Sequence, residues 1–393
     1  MSTVGIIAEF NPFHNGHKHL IGEAGKSGDV VAVISGNFVQ RGDTAIAEKR
    51  LRAKAALENG VDLVLEMPVC WSMSTAQNFA LGGVSILNNI GCDTIMFSSE
   101  CGDVNRLKQI AEIIGGEEFK NLLSEYSKSG KTFAASRQAA AVQCGADDKI
   151  ISGANNNLAV EYIYAADKIG ANLDFKTIKR LGSTHDDNVV TGEYASASFL
   201  RKKLLSKNLE EVFKYIPKNT EPLLKYDNIS DINRIETAIL SVLRSRAKKE
   251  FAYLPDISEG IENLLYNASR TATSLNELYN SVKTKRYTMA RVRRLVLSAF
   301  LGIDSEWFLK QPPYIRVLGF NSRGEQILKE KAKSCPVPVI TRVSDYERFR
   351  GEILKKSAAR LFETECRATD LYALSLAKPL PCGIEYTSKI IKI

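Results

Sequence analysis

Histidine is scarce in this chain: there are four in 393 residues, and three of them are His14, His17 and His19. No apolar run approaches the roughly 18 residues of a membrane-spanning helix, so no transmembrane helix is expected. The start of the chain has no basic stretch ahead of an apolar one, so no secretory leader is expected. No Cys-x-x-Cys occurs; the seven cysteines (Cys70, Cys92, Cys101, Cys144, Cys335, Cys366, Cys382) are scattered and odd in number. That spacing speaks against a structural zinc and a disulfide scaffold, and for free thiols in a reducing cytoplasm. Internal repeats and low-complexity linkers are also missing. What is present, 44% hydrophobic and 25% charged residues, is the composition of an ordinary globular protein, and the length is comfortable for two domains. Positive charge is in excess, at +8 and a pI near 9.0, which favours a polyanionic partner without identifying one.

Apolar runs and amphipathic stretches alternate through the first half. Strands are expected at Val4–Phe10, Asp29–Ser35, Val61–Glu66, Thr94–Ser98 and Asp174–Lys179. Helices are expected over 16–24, 46–59, 75–89, 103–115, 117–129 and 157–169. Near-continuous apolar strands separated by helices predict an α/β fold with a parallel sheet covered on both faces. In such sheets ligands bind beyond the carboxyl ends of the strands, where the strand order reverses. Asn11–His17, Ser35–Gly42, Glu66–Pro68, Ser98–Gly102 and Arg180–Asp187 all fall at those ends. Near residue 205 helical periodicity takes over, which gives a Rossmann-like domain over 1–205 and a mainly helical region over 206–393. Short strands at Tyr314–Phe320 and Val337–Arg342 flank a helix over 323–333, and Ser344 is placed to cap a last helix.

The strongest motif is Val4-Gly-Ile-Ile-Ala-Glu-Phe-Asn-Pro-Phe-His-Asn-Gly-His17. Two imidazoles three residues apart share one face of a helix's first turn. The unpaired N–H groups and positive dipole end there favour a phosphate, and Gly16 lets phosphates approach the backbone. Ser35-Gly-Asn-Phe-Val-Gln-Arg-Gly42 can wrap a small polar substrate, through Ser35, Gly36, Asn37 and Gln40, and offer Arg41 to a carboxylate or phosphate. Lys49, Arg50, Arg52 and Lys54 follow on a basic helix, which a solvated face would explain equally. Asn155-Asn-Asn157 can read an adenine edge or simply cap a helix. Arg180 and His185 follow the fifth strand. Ser196, Ser198 and Arg201 open a helix either as a cap or as a second phosphate clamp. Finally, Lys283-Thr-Lys-Arg-Tyr-Thr-Met-Ala-Arg-Val-Arg-Arg294 holds six basic residues and no acid. A helix from Thr288 would bury Val292, Leu295, Val296, Ala299 and Phe300 and leave Arg291, Arg293 and Arg294 flanking them. Lys283, Lys285, Arg286 and those arginines suit an RNA backbone, with Tyr287 placed to stack on a base, or form a plain solvated face.

The His-x-Gly-His start and the late Ser-x-Ser-x-x-Arg element resemble the nucleotidyltransferase-like superfamily. Gly5–His17, Ser35–Gly42, Lys283–Tyr287 and the order Asn155, Arg180, Ala195-Ser-Ala-Ser198 are similar to the tRNA(Met) cytidine acetate ligase family, over nearly the whole chain. The resemblance implies a ligase that uses ATP and acetate to make N4-acetylcytidine at wobble position 34 of elongator tRNA(Met). His14 and His17 would be catalytic. ATP contacts would come from Ile7, Ala8, Glu9, Phe10, Asn11, Phe13, Gly16, Lys18, Leu20, Gly102, Asn155 and Arg180. Pyrophosphate would leave toward Ser196, Ser198 and Arg201. Magnesium is expected to arrive with ATP, with no dedicated metal site, and no membrane or stable protein partner is implied. An adenylyltransferase passing AMP to a small phosphorylated acceptor would explain the first half equally well. It would leave some 190 further residues with their basic segment without a purpose.

Overall fold

Strands of five to seven residues, most of them rich in apolar side chains, build the sheet at the centre of the chain. The computed structural model describes residues 2–128, 132–180, 190–258, 260–307, 310–342, 345–346 and 356–393. His185 and Ser344 lie outside the described residues. Strands β1 (Thr3–Ala8), β2 (Asp29–Ser35), β3 (Leu63–Met67), β4 (Thr94–Ser99) and β5 (Asp174–Lys179) are parallel, in the order β3-β2-β1-β4-β5. Helices α1 (Asn15–Gly25), α2 (Lys49–Leu57), α3 (Ala76–Asn89) and α4 (Ala154–Ile169) are among those that cover it. Successive strand residues face opposite ways: Val30, Ala32 and Ile34 of β2 join one core layer, and Val31 and Val33 join the other. The expected strand over Val4–Phe10 ends at Ala8, because Phe10 adopts a positive φ of 48° and turns the chain out of the sheet.

Beyond α5 (Ala197–Leu205), all regular elements of the described residues from Leu209 to Leu301 are helical, ending in α6 (Met289–Leu301). The chain then returns to the same sheet. Strand β6 (Ile315–Phe320) lies antiparallel to β3, pairing Arg316 with Glu66, while β7 (Val339–Ile340) and β8 (Ile391–Lys392) run parallel to β6. One eight-stranded sheet therefore spans the position near 205 where the sequence changes character. Among the described residues no helix is long and apolar enough to cross a membrane.

Helix α2 departs from the solvated basic face that its composition suggests. Lys49 and Arg52 are 1% and 2% exposed. Lys49 Nζ sits 2.6 Å from Glu66 and 2.5 Å from Glu385, and Arg50 and Arg316 also reach Glu385. Burial opposes the Lys49 charge, but Glu385 and Glu66 outweigh it and hold its proton above the usual range. The Arg52 guanidinium donates to the carbonyls of Ala47 (2.8 Å), Glu9 (2.6 Å), Ser35 (3.0 Å) and Gly36. Those carbonyls belong to the segments leaving β1 and β2 and entering α2, so one side chain ties three turns together. Helix α7 (Lys356–Ala373) closes over this region: Thr369 accepts from Asn37 Nδ2 (3.3 Å) and donates to Glu385 (2.7 Å).

Replacing Arg52 with leucine leaves four buried carbonyls without their donor. The expected cost is about 3–5 kcal/mol of unfolding free energy, read as a lowered urea midpoint at unchanged slope. A loss below about 1 kcal/mol would show that water or a neighbour replaces the guanidinium.

Candidate active site

Strands β1 and β4 pair only at Val4–Thr94 and Gly5–Ile95. Past these pairs a cavity of about 370 Å³ opens between their carboxyl ends, where the strand order reverses about β1. Ile7, Ala8, Glu9, Phe10, Asn11, His14, Gly16, His17 and Leu20 line it, with Gln40, Arg41, Asn155, Arg180, Ser196, Ser198 and Arg201. Segments as far apart in sequence as Ile7 and Arg201 thus meet around one space.

His14 and His17 close the N-terminus of α1 on each other. His14 Nδ1 accepts from the Gly16 N–H (3.1 Å), and His17 Nδ1 accepts from the His14 N–H (3.3 Å). This is a reciprocal capping arrangement made from two imidazoles rather than from serine and glutamate. The rings stack with centroids 3.7 Å apart at 24°. Phe10 and Phe13 press on His17 from behind, with centroids at 4.9 and 5.7 Å. Because each Nδ1 is an acceptor, each neutral ring carries its proton on Nε2. Burial, then the charges of Arg180 and Arg201, push the pKa of His14 down to about 3. Burial, then His14 and Arg180, hold His17 well below the ordinary range. The pair is therefore two uncharged Nε2–H donors on the cavity wall. The unpaired N–H groups expected at the start of α1 are already engaged, that of Asn15 by the Tyr215 carbonyl, that of Gly16 by His14 Nδ1, and those of His17 and Lys18 by the His14 carbonyl, so the helix offers its positive dipole end.

The opposing cations are equally fixed. Arg180 donates to Asn155 Oδ1 (3.0 Å), and Asn155 Nδ2 donates to Glu100 (2.6 Å). The Glu100 carboxylate also accepts from the Asn155 and Asn156 N–H groups at the start of α4 (3.0 and 2.7 Å). Burial raises its pKa, but these hydrogen bonds outweigh burial and keep it below the usual range. Of the asparagine run, Asn155 and Asn157 reach the cavity. Asn156 is buried, with its amide bound to the Cys101 N–H and the Ile150 carbonyl. Arg201 donates to the Asn11 carbonyl (2.8 Å) and to Ser198 Oγ (3.1 Å), while Ser196 Oγ caps α5 through the Phe199 N–H (3.1 Å). Cap and clamp coexist in one element. Burial lowers the pKa of both arginines, so each is a desolvated cation awaiting an anion.

Other residues singled out from the sequence stand apart from the cavity. Lys18 is exposed on α1, and Phe13 is buried behind His17. Gly102, at φ 65°, lies against Lys179, where a Cβ would come within 2.9 Å of the lysine's own. Ser35, Gly36 and Asn37 face Arg52 and α7; only Gln40 and Arg41 of their loop reach the cavity. Gly42 needs its φ of 72° and its missing side chain, because a Cβ would come within 2.6 Å of Arg293 Cβ and the Arg294 N.

That contact docks the basic segment beside the cavity. Lys283, Lys285 and Arg286 are exposed. Tyr287 is not placed to stack on a base: it is buried, under the Arg291 guanidinium at 5.4 Å. Arg291 and Arg294 pair with Asp256 (3.3 and 3.6 Å), and Arg293 lies over Tyr279. Val292, Leu295, Val296, Ala299 and Phe300 are buried as the periodicity predicts.

Sequence reasoning missed the apolar side of the cavity, formed by Phe79, Phe97, Leu158, Tyr162 and Ile178, whose rings and alkyl groups suit a purine. Their periodicity marks them only as core. It also missed Glu100, although Ser98–Gly102 stands at a strand end.

The HIGH nucleotidyl transferase family model matches residues 1–382. A tRNA(Met) cytidine acetate ligase of Thermoanaerobacter sp. (strain X514) is 40% identical over 100% of both chains. One of Acetivibrio thermocellus is 36% identical, again over 100% of both chains. The crystal structure of Thermotoga maritima TmcAL superposes at a TM-score of 0.94 with 31% identity, covering 100% of each chain. The same protein bound with alpha-thio ATP superposes at 0.92 with 30% identity, also over 100% of each chain.

A histidine whose pKa is lowered on folding contributes stability above its unfolded value of 6.5 and loses it as the pH falls toward 3. The His14 ring resonances are therefore expected to stay flat between about pH 5 and 8 in the ligand-free protein. The fall in urea midpoint below about pH 6.5 should be shallower in His14→Asn, which keeps a capping side chain. An ordinary titration near neutrality would contradict the buried neutral pair.

Proposed function

The chain belongs to the HIGH nucleotidyl transferases and, within them, to the tRNA(Met) cytidine acetate ligase family, and we propose that it activates acetate with ATP and acetylates N4 of cytidine 34 in elongator tRNA(Met). The observation that carries this reading is the facing of two neutral Nε2–H donors and a helix N-terminus by Arg180 and Arg201 across one cavity. Such a site binds a triphosphate without a covalent partner. The apolar side takes the adenine, and Asn155 and Asn157 offer amides to its edge or ribose.

In the first step an acetate oxygen attacks the α-phosphorus and pyrophosphate leaves. Charge building on the phosphate oxygens meets the Nε2–H groups of His14 and His17 and the positive dipole end of α1. Arg201, pinned by Asn11 and Ser198, receives the departing pyrophosphate. Arg41 is the cation we assign to the acetate carboxylate. In the second step the cytidine amine attacks the acetyl carbonyl of the acetyl-adenylate and AMP departs. The base must leave its stack to enter the cavity, which a single-stranded anticodon loop allows at little cost. Exposed Lys283, Lys285 and Arg286 would contact RNA phosphates, while Arg293 and Arg294 hold their helix against the Ser35–Gly42 loop and Arg291 pairs with Asp256. Residues 1–205 then form the catalytic part, and the following helical region holds the tRNA. ATP would arrive as its magnesium complex. Among the described residues no three metal-ligating side chains gather at one point, so phosphate oxygens and water would complete the ion's shell. Such a reaction belongs in the cytoplasm, with its tRNA.

ATP–pyrophosphate exchange tests the first step. Exchange should require acetate, and His17→Ala should reduce it by about 10²–10³-fold, the loss typical of one removed charge-stabilising donor. Acetate-independent transfer of AMP to a phosphorylated acceptor would instead establish a plain adenylyltransferase.

A further inference from the structure

Among the described residues that line the cavity, Glu9 is the one acidic side chain, set among Arg41, Lys179, Arg180 and Arg201. In a site built for a triphosphate and a carboxylate it repels both substrates, so its presence calls for a partner with protons to donate. Its placement is firm. Arg52 holds its backbone carbonyl (2.6 Å), and its Oε1 accepts from the Gln40 N–H (3.0 Å). The Gln40 carbonyl in turn accepts from Arg294 (3.3 Å). One residue of the Ser35–Gly42 loop, Gln40, therefore links Glu9 to the basic segment.

The donor that fits is an exocyclic amine. A carboxylate is the natural acceptor for cytosine N4–H, whereas uracil presents a carbonyl oxygen at the same place. Resting on the acetate-ligase reading above, we infer that Glu9 binds the target cytidine's N4 amine and takes its proton during acetyl transfer. N4 forms a bond to the acetyl carbon, and the bond from that carbon to the phosphate oxygen breaks. The electron pair leaves with AMP, and the proton passes from N4 to the Glu9 carboxylate. Glu9 thereby selects cytidine over uridine and activates a weak nucleophile, while His14 and His17 serve the adenylation step.

The test compares the two half-reactions in full-length wild type, Glu9→Gln and Glu9→Asp. Acetate-dependent ATP–pyrophosphate exchange reads the first step, and single-turnover acetylation of C34 tRNA reads the second. Inhibition by the same tRNA carrying U34 reads base discrimination. Glu9→Gln should lose about 10²–10⁴-fold in transfer, as expected for a missing general base, with a much smaller loss in exchange. Its amide can turn an NH₂ to uracil O4, so U34 tRNA should inhibit it more strongly than it inhibits wild type. Glu9→Asp should recover part of the transfer. Equal losses in both half-reactions with unchanged U34 discrimination would overturn the inference, and so would rescue by excess Mg2+, which would mark Glu9 as a metal ligand. Wild type that lacks acetate-dependent exchange would overturn the underlying reading instead.

Discussion

A single buried guanidinium holds the site in shape. The ends of β1 and β2 must both turn out of the sheet to form the cavity, and turning leaves their carbonyls without ladder partners. Arg52 answers the Glu9, Ser35 and Gly36 carbonyls together with that of Ala47 at the entry to α2. A charge so buried is costly unless its donors are met, and an unpaired buried carbonyl is costly too. Each satisfies the other, so the two exits from the sheet cannot move independently. Glu9, Gln40 and Arg41 inherit their positions from that tie, and through Gln40 so does the junction with Arg294. The Lys49–Glu66–Glu385 cluster, which Arg316 of β6 joins, extends the constraint to the C-terminal residues that return to a sheet beginning at residue 3.

Within that frame the chemistry is electrostatic. Two stacked histidines could not both be charged at 3.7 Å, and burial together with Arg180 removes their protons at neutral pH. What they keep is direction: each spends Nδ1 on the backbone and presents Nε2–H. The positive charge is supplied by Arg180 and Arg201, whose own partners are neutral amide, hydroxyl and carbonyl groups rather than carboxylates. These cations are desolvated and only partly offset, Arg180 by Glu100 and Arg201 by Glu9, a state that favours an incoming phosphate.

The parallel sheet was legible because most of its strands are apolar runs with bounds of their own, and the edge strand alternates at the strand period; the predicted Asp29–Ser35 and Asp174–Lys179 coincide with the observed strands. The His14–His17 cap was legible for the same local reason, since its spacing within one helical turn is its geometry. The burial of Lys49 and Arg52 was not, because a basic helix announces charge and not what lies opposite; their partners, Glu385 among them, are up to 336 residues away. Tyr287 misled similarly: an aromatic among cations reads as a stacking platform until the fold turns it under Arg291. Ser35, Gly36 and Asn37 shared a loop with Gln40 and Arg41, but the short extended stretch Phe38–Val39 carries the chain from Arg52 and α7 across to the cavity between them. Glu9 was visible as part of a binding segment; its isolation among cations emerged only when distant strands met.

Isotope transfer tests the central claim, activation of a carboxylate by adenylation, most directly. With acetate labelled by ¹⁸O at both oxygens, ATP and tRNA, the AMP released is analysed by mass spectrometry along with the modified nucleoside. The account predicts one ¹⁸O in the AMP phosphate and the other in the acetyl carbonyl of N4-acetylcytidine, because the attacking oxygen stays with phosphorus when the acetyl carbon departs. Unlabelled AMP beside an acetylated tRNA would contradict it.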